Sequence, residues 1–116
     1  MLEIPLEATP NQSFLITLDD QDCTIALYQR GRRLYLDLTV SGRIVRQGAI
    51  CEPGVGIPHG GTDAFRGRLY LVDLRSQPGQ QAAPQWQGLG DRWRLYWLSP
   101  DEVQQVNAEE AARYGG

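Results

Sequence analysis

Cys51 and His59, the only histidine, are the side chains of this chain that could support nucleophilic catalysis. A thiol beside an imidazole base is the pair that activates a cysteine nucleophile. The sequence gives no reason for these two side chains to meet, and the residues around Cys51 do not form a nucleophile motif. We therefore predict no catalytic residues, and we expect His59 to be an ordinary loop histidine.

Metal binding has weak support in the sequence. Asp19, Asp20 and Asp22 form an acidic cluster, but the segment lacks the turn glycine and the distal glutamate of an EF-hand calcium loop. One histidine and two distant cysteines cannot complete a zinc site of nitrogen and sulfur ligands without carboxylates. We expect a solvated hairpin turn at the aspartates and no bound metal.

The glycine-rich segments Gly54-Val55-Gly56 and Gly60-Gly61 are the only candidates for a phosphate cradle. Such a cradle needs a following helix N-terminus and usually a lysine. Here a strand-like segment follows, and the chain contains no lysine. We therefore expect a sharply turning loop and no cofactor.

The charge balance argues against a general nucleic-acid binder. The formal net charge is −3 and the pI is near 5.0, whereas phosphate contacts require clustered positive charge. All eleven basic residues are arginines, whose planar guanidinium groups make strong polar contacts at protein interfaces. No apolar segment approaches the roughly 20 residues that span a bilayer.

The length and the cysteines indicate one domain that folds without disulfides. The chain has 116 residues, enough to bury a single core unaided. Residues 1–18 have neither a basic start nor an uninterrupted apolar segment, so we expect no signal peptide. We expect Cys23 and Cys51 to be buried free thiols in a reducing compartment.

Alternating apolar residues predict one β-strand after another as far as Leu98. The clearest alternation lies in residues 34–40, typical of a half-buried antiparallel strand. Polar turns are expected at residues 19–22, 29–32 and 41–42, and Gly48 is expected to form a bulge. The pattern predicts a mainly β fold, a single antiparallel β-sandwich or partly open β-barrel of about six to eight strands over residues 1–99.

The two ends of the chain differ from this pattern. In residues 1–7, Pro5 restricts the segment to an edge strand or an extended free arm. Ser99 and Glu102 form a capping box, the signature of a helix start. We predict a short helical tail over residues 100–116 that docks weakly or on a partner, because its apolar face is thin.

The aromatic residues near the end of the strand pattern divide into two groups. Trp93 and Trp97 share a face with Leu95, so we expect them in the core, while Tyr96 points the other way. Trp86 lies in a polar loop. Two interpretations stay open for it: an interface hot spot, or a side chain that folds back and caps the sheet.

Four segments together resemble the small baseplate plug proteins of contractile-tailed bacteriophages. They occur in order between residues 2 and 98, and the first and last are the most specific. In sequence they are Ile4-Pro5-Leu6 with Pro10-Asn11-Gln12-Ser13-Phe14, Leu34-Tyr35-Leu36-Asp37-Leu38, Gly67-Arg68-Leu69-Tyr70-Leu71-Val72-Asp73, and Gly88-Leu89-Gly90-Asp91-Arg92-Trp93-Arg94-Leu95-Tyr96-Trp97.

The resemblance implies a structural virion protein that helps close the distal end of the tail tube. It implies contacts with other tail proteins (hub, tube and spike), several copies per particle, and no specific nucleic acid. It places the protein in the tail baseplate, and in the host cytoplasm before assembly. The family supplies no catalytic residues, so none are carried over. The loop before Trp86 and the segment after Leu98 are longer than the family pattern.

We predict that contacts with partners use a set of exposed aromatic and basic residues together with the N-terminal arm. The predicted interface residues are Ile4, Leu6, His59, Arg66, Arg68, Trp86 and Tyr96. An alternative function is a soluble β-sandwich binding module for carbohydrate or protein that uses loops 52–63 and 75–91. A small hydrolase is the weakest of the three classes.

Overall fold

The computed structural model describes residues 1–59, 62–75 and 82–106. These residues form seven strands: β1 (Leu2–Ile4), β2 (Asn11–Leu18), β3 (Gln21–Arg30), β4 (Arg33–Val40), β5 (Arg43–Ile50), β6 (Arg68–Asp73) and β7 (Trp93–Leu98). All pairings are antiparallel, in a four-stranded sheet of order β2-β3-β4-β5 and a three-stranded sheet of order β1-β7-β6. The two sheets share one hydrophobic core, and no described strand pairs between them. The predicted mainly β fold is confirmed, as a two-sheet sandwich and not a closed barrel.

Strict alternation of apolar residues builds the four-stranded sheet. In β4 every second residue is buried and the residues between them are half-buried. β3 repeats this pattern, with Cys23, Ile25 and Leu27 facing inward. β2 packs Phe14 and Ile16 against the core. Because side chains alternate between the two faces of a strand, the remaining positions form the outer face of the sheet.

The turn between β2 and β3 is shorter than the sequence indicates. Only Asp19-Asp20 forms it, with φ angles of 52° and 58°. Such positive φ angles are those of a tight turn that matches the right-handed twist of the strands. Gln21 and Asp22, expected in the turn, already belong to β3. The predicted two-residue turn at Ser41-Gly42 is confirmed.

β5 contains the predicted bulge. The register against β4 shifts between Leu36 and Leu38, so β5 has an extra residue there. Gly48 has a φ of 70°, a conformation that favours glycine. Its backbone N–H donates to Asp37 Oδ1 at 2.7 Å, which replaces the lost ladder hydrogen bond.

The first residues of the chain belong to the three-stranded sheet. β1 pairs with β7 from Leu2 opposite Trp97 to Ile4 opposite Leu95, and it lies at the sheet edge. Ile4 is 1% exposed and sits within the core. Removing residues 1–7 would therefore take a core side chain from the domain as well as an edge strand.

The amide of Gln21 links the two sheets. Its Nε2 donates to the carbonyl oxygens of Leu18 at 3.0 Å and Arg66 at 3.2 Å. Its Oε1 accepts the backbone N–H of Arg66 at 2.7 Å. Gln21 is the one polar or charged residue among those described that is buried as a whole residue. We call this set of three hydrogen bonds the Gln21 clasp. It joins the β2–β3 hairpin to the segment that enters β6.

A helix begins after β7, as predicted. The Ser99 backbone N–H donates to Glu102 Oε1 at 3.0 Å, and the Glu102 N–H donates to Ser99 Oγ at 3.2 Å. These reciprocal bonds are a capping box. Residues 100–106 are helical and Val103 packs inward, whereas the rest of the predicted tail lies outside the described residues. Within the described part of the chain, no helix has the length and apolarity to cross a membrane.

Replacing Gln21 by Leu should test the clasp. The variant removes the partner of the partly buried Arg66 backbone N–H, and we expect the free energy of unfolding to fall by about 1–3 kcal/mol. Gln47→Leu is the matched control, because Gln47 is exposed on β5, and we expect it to change stability by less than about 0.5 kcal/mol. Urea unfolding of both variants measures the difference. Equal losses in the two variants would contradict a special role for Gln21.

Candidate functional site

The two cysteines are unsuited to nucleophilic chemistry. Both are free and buried, as expected from the sequence. Burial raises the pKa of Cys51 to about 12, and it also raises the pKa of Cys23. A thiol reacts as its thiolate, so both side chains stay unreactive at neutral pH. Among the described residues, no group of three or more His, Cys, Asp or Glu side chains is placed to hold a metal ion.

A groove on the outer face of the three-stranded sheet brings together two of the predicted interface residues, His59 and Arg68. Tyr70 and Val72 of β6 form its floor, and residues 54–56 form a wall. The groove has a volume of about 540 Å³, within the range of ligand and peptide pockets. We call it the Arg68 groove. Arg68 also lines a neighbouring groove of about 320 Å³.

The wall of the Arg68 groove is fastened to β6 by its backbone. Ile57 and Leu69 exchange two hydrogen bonds of 2.8 Å, and the Gly54 N–H donates to the Leu71 carbonyl at 3.0 Å. A Cβ atom at Gly56 would lie 2.9 Å from Tyr70 Oη and 3.0 Å from Arg68 Cδ. Glycine therefore lets the loop lie directly on these two side chains and restrict their motion.

Arg66 and Tyr96 lie outside the Arg68 groove. Arg66 pairs with Asp19 at 2.9 Å, and so links β6 to the β2–β3 turn. Tyr96 is opposite Tyr70 in the sheet and therefore faces the same side. Its hydroxyl donates to Glu3 Oε1 at 3.2 Å.

The remaining predicted interface residues pack against the core to different degrees. Ile4 is fully buried, so its side chain is not available at the surface. Leu6 and Trp86 are half-buried and contact the core. The backbone N–H of Trp86 donates to Gln29 Oε1 at 2.9 Å, so Trp86 folds back onto the sandwich. The role of all seven residues in contacts with partners stays a prediction.

The outer face of the four-stranded sheet is a second candidate surface, which sequence reasoning missed. The strand registers place Leu15, Thr24, Thr39 and Ile44 in one row across all four strands. Leu15 is 84% exposed and Ile44 is 68% exposed. A parallel row holds Asn11, Tyr28, Tyr35 and Ile50, in which the two tyrosine rings stack 5.9 Å apart.

Charged side chains on that outer face include Asp22 and Arg30 toward the two ends of β3, and Arg30 lies 5.1 Å from the Tyr28 ring centroid. Nearer the middle of the face is Asp37 of β4. Its Oδ1 accepts from the Tyr28 hydroxyl at 2.9 Å and from the Gly48 N–H. We call this surface the four-strand face. The signal in the sequence is an apolar residue at one outward position of each edge strand, Leu15 in β2 and Ile44 in β5.

A buried ion pair stabilises the base of the long loop after β6. Asp73 is 5% exposed and accepts two hydrogen bonds from Arg92, at 2.9 and 3.0 Å. It also accepts from the Arg75 N–H at 2.9 Å. The Arg92 guanidinium lies 4.6 Å from the Trp93 ring centroid. The bonds from Arg92 hold the pKa of the Asp73 carboxyl below its usual range.

Replacing Asp73 by Asn should show how much the Asp73–Arg92 pair contributes to the free energy of unfolding, because that contribution depends on pH. Because the folded pKa is depressed, the stabilisation is present above the unfolded pKa of about 4 and is lost as the pH falls through the folded pKa. We expect the variant to lose about 2 kcal/mol of unfolding free energy at neutral pH. The difference in unfolding free energy between the wild type and the variant should become smaller below about pH 4.

Urea unfolding at stepped pH measures this difference. Asp91→Asn is the control, because the Arg75–Asp91 pair is solvent-exposed and such pairs contribute little. A difference for Asp73→Asn that is the same at every pH would contradict the assignment.

The comparison with protein families agrees with this architecture. A family model described as cyanophage baseplate Pam3 plug gp18 matches residues 1–101, which include all seven strands and the start of the helix. No curated protein matches the chain. The match confirms the family inferred from the sequence motifs, and a baseplate plug is a structural component, not a class of enzyme. The chain therefore belongs to the cyanophage baseplate plug family, which places it in the tail baseplate of the virion.

Proposed function

We propose that this protein helps close the distal end of the tail tube in a contractile-tail baseplate. In this role it contacts hub, tube and spike proteins, is present in several copies, and folds in the host cytoplasm before assembly. The observation that carries the proposal is the family match over residues 1–101, which covers the whole sandwich. A plug needs a stable body with surfaces that complement its neighbours, and it needs no reactive group.

The four-strand face supports a role in assembly. A solvated antiparallel sheet normally carries polar residues on its outer face. Here Leu15, Ile44 and Ile50 are among the exposed large apolar side chains, and the strand registers place them on one surface. Leu15 and Ile44 lie at the two edges of this face with Thr24 and Thr39 between them, and exposed apolar side chains gathered on one face favour protein contact. We infer that a neighbouring tail protein covers this face.

The size of the four-strand face favours more than one contact per plug. Four strands of about eight residues at ordinary spacing present roughly 400 Å² on one side. A specific interface buries about 800 Å² on each partner. The four-strand face alone would therefore supply about half of a standard interface, which suits a protein that touches several neighbours.

The alternative binding module has less support. It would use loops 52–63 and 75–91, with Trp86 as an aromatic platform for sugar or peptide. Trp86 instead packs against the core and is tied to Gln29. The parts of these loops at residues 60–61 and 76–81 lie outside the described residues.

Leu15→Glu should impair incorporation into tails. Position 15 is exposed in both the folded and the unfolded chain, so we expect the variant to stay folded. Burying its new carboxylate against a partner is unfavourable, so we expect binding to weaken. We expect at least about a tenfold loss of incorporation, the equivalent of about 1.4 kcal/mol. The assay is co-expression with the tail proteins, sedimentation of the particles, and quantification of the plug by mass spectrometry.

Leu74→Glu is the matched control, because Leu74 is 50% exposed away from the four-strand face. We expect it to be incorporated like the wild type. Normal incorporation of Leu15→Glu would remove the four-strand face as a contact. Absence of the wild-type chain from purified particles would contradict the proposed function itself.

A further inference from the structure

Arg68 differs from the other half-buried arginines of the described chain. There are four of these: Arg46, Arg68, Arg92 and Arg94. Arg46 donates to a backbone carbonyl at 2.7 Å, and Arg92 and Arg94 each pair with a carboxylate. Arg68 has no hydrogen-bond or ion-pair partner among the described residues. None of its nitrogen atoms is buried without a partner in the described part of the chain, so the guanidinium is open to an incoming anion while the stem lies against Gly56.

The surroundings of Arg68 complement an acidic side chain with apolar neighbours. Beside Arg68, the groove presents His59 and the ring of Tyr70, and the remaining described lining is apolar or glycine apart from the Met1 ammonium, which is paired with Glu102. No carboxylate is among the described residues that line it; Asp63 lines the neighbouring groove that Arg68 also borders, but it does not form an ion pair with Arg68. The Arg68 stem packs beneath Gly56, so its conformation is restricted before a partner arrives. Preorganisation of this kind lowers the entropic cost of binding.

We propose that the Arg68 groove binds an extended segment of a neighbouring tail protein that carries an Asp or Glu. The carboxylate accepts a bidentate pair of hydrogen bonds from the Arg68 guanidinium. Apolar side chains next to it lie on Tyr70 and Val72, the groove floor. The identity of the partner as a tail protein rests on the proposed function, whereas the chemistry of the groove does not.

Charge favours an acidic polypeptide over a nucleic acid. Nucleic-acid binding requires several cations along a phosphate backbone. Among the described residues that line this groove Arg68 is the only arginine, and the chain as a whole carries a net charge of −3. A single guanidinium with apolar surroundings matches one carboxylate within an otherwise uncharged segment.

The first test uses the isotope-labelled full chain and a defined probe, the acetylated peptide Gly-Val-Glu-Val-Gly amide. We expect the probe to shift the backbone amide resonances of Gly54, Gly56 and Arg68, and a peptide with Gln in place of Glu to bind at least about tenfold more weakly. Arg68→Gln should lose the preference for Glu. Arg43→Gln is the control, because Arg43 is exposed on the other sheet, and it should keep the preference.

Three results would overturn the proposal. The first is equal binding of the Glu and Gln peptides, or no binding of either. The second is the same loss in Arg43→Gln as in Arg68→Gln. The third is a stronger response of the same amides to a short single-stranded oligonucleotide, which would identify phosphate as the ligand. Unchanged urea unfolding of Arg68→Gln shows that a loss of binding is not a loss of fold.

Incorporation into particles separates this proposal from the proposed function. Arg68→Glu reverses the charge in the groove, and we expect its incorporation to fall by at least about tenfold relative to wild type and to Arg43→Glu. If the wild type is incorporated and Arg68→Glu is incorporated equally well, the groove is not a tail contact, while the plug function stands. If the wild type is absent from particles, the plug function fails, and the peptide titration alone decides the chemistry of the groove.

Discussion

The buried amide of Gln21 is the contact on which the arrangement of the two sheets depends. It satisfies both backbone groups of Arg66 from a strand of the opposite sheet. The Arg66 carbonyl also accepts the Trp97 indole N–H at 3.1 Å. The backbone of this one residue thus joins the β2–β3 hairpin, the entry to β6 and strand β7. Buried polar groups that are fully paired specify a single arrangement more strongly than apolar packing does.

Three consecutive residues, Arg66 to Arg68, have different roles where the chain enters β6. Arg66 binds the hairpin through its backbone and through Asp19. Gly67 has a φ of 88°, and a Cβ there would lie 2.5 Å from Trp97 Nε1, so only glycine fits under the indole. Arg68 then begins β6 and turns outward into its groove. The clasp therefore fixes the position from which the Arg68 side chain meets a partner.

A second glutamine, Gln29, links the opposite end of β3 to the segment at Gln85 and Trp86. Gln29 Nε2 donates to Gln85 Oε1 at 2.6 Å, and Gln29 Oε1 accepts the Trp86 N–H. β3 thus binds the other half of the sandwich near both of its ends. Because these links lie between the sheets, both outer faces stay clear of them. The four-strand face and the Arg68 groove lie on opposite outer surfaces of the sandwich, so one plug can touch two neighbours at once.

Sequence reasoning succeeded where the signal was local and failed where it depended on distant partners. The alternation in β4, the bulge at Gly48 and the capping box at Ser99 each lie within a few residues, and each was predicted. The sequence indicates a polar turn at Gln21, because its partner Arg66 is 45 positions away and gives no local signal. Likewise His59 and Arg68 were singled out separately, but only the hydrogen bonds between the loop and β6 place them in one groove. Outward apolar residues of different strands lie side by side only when the strand registers align them, and the turn lengths set those registers.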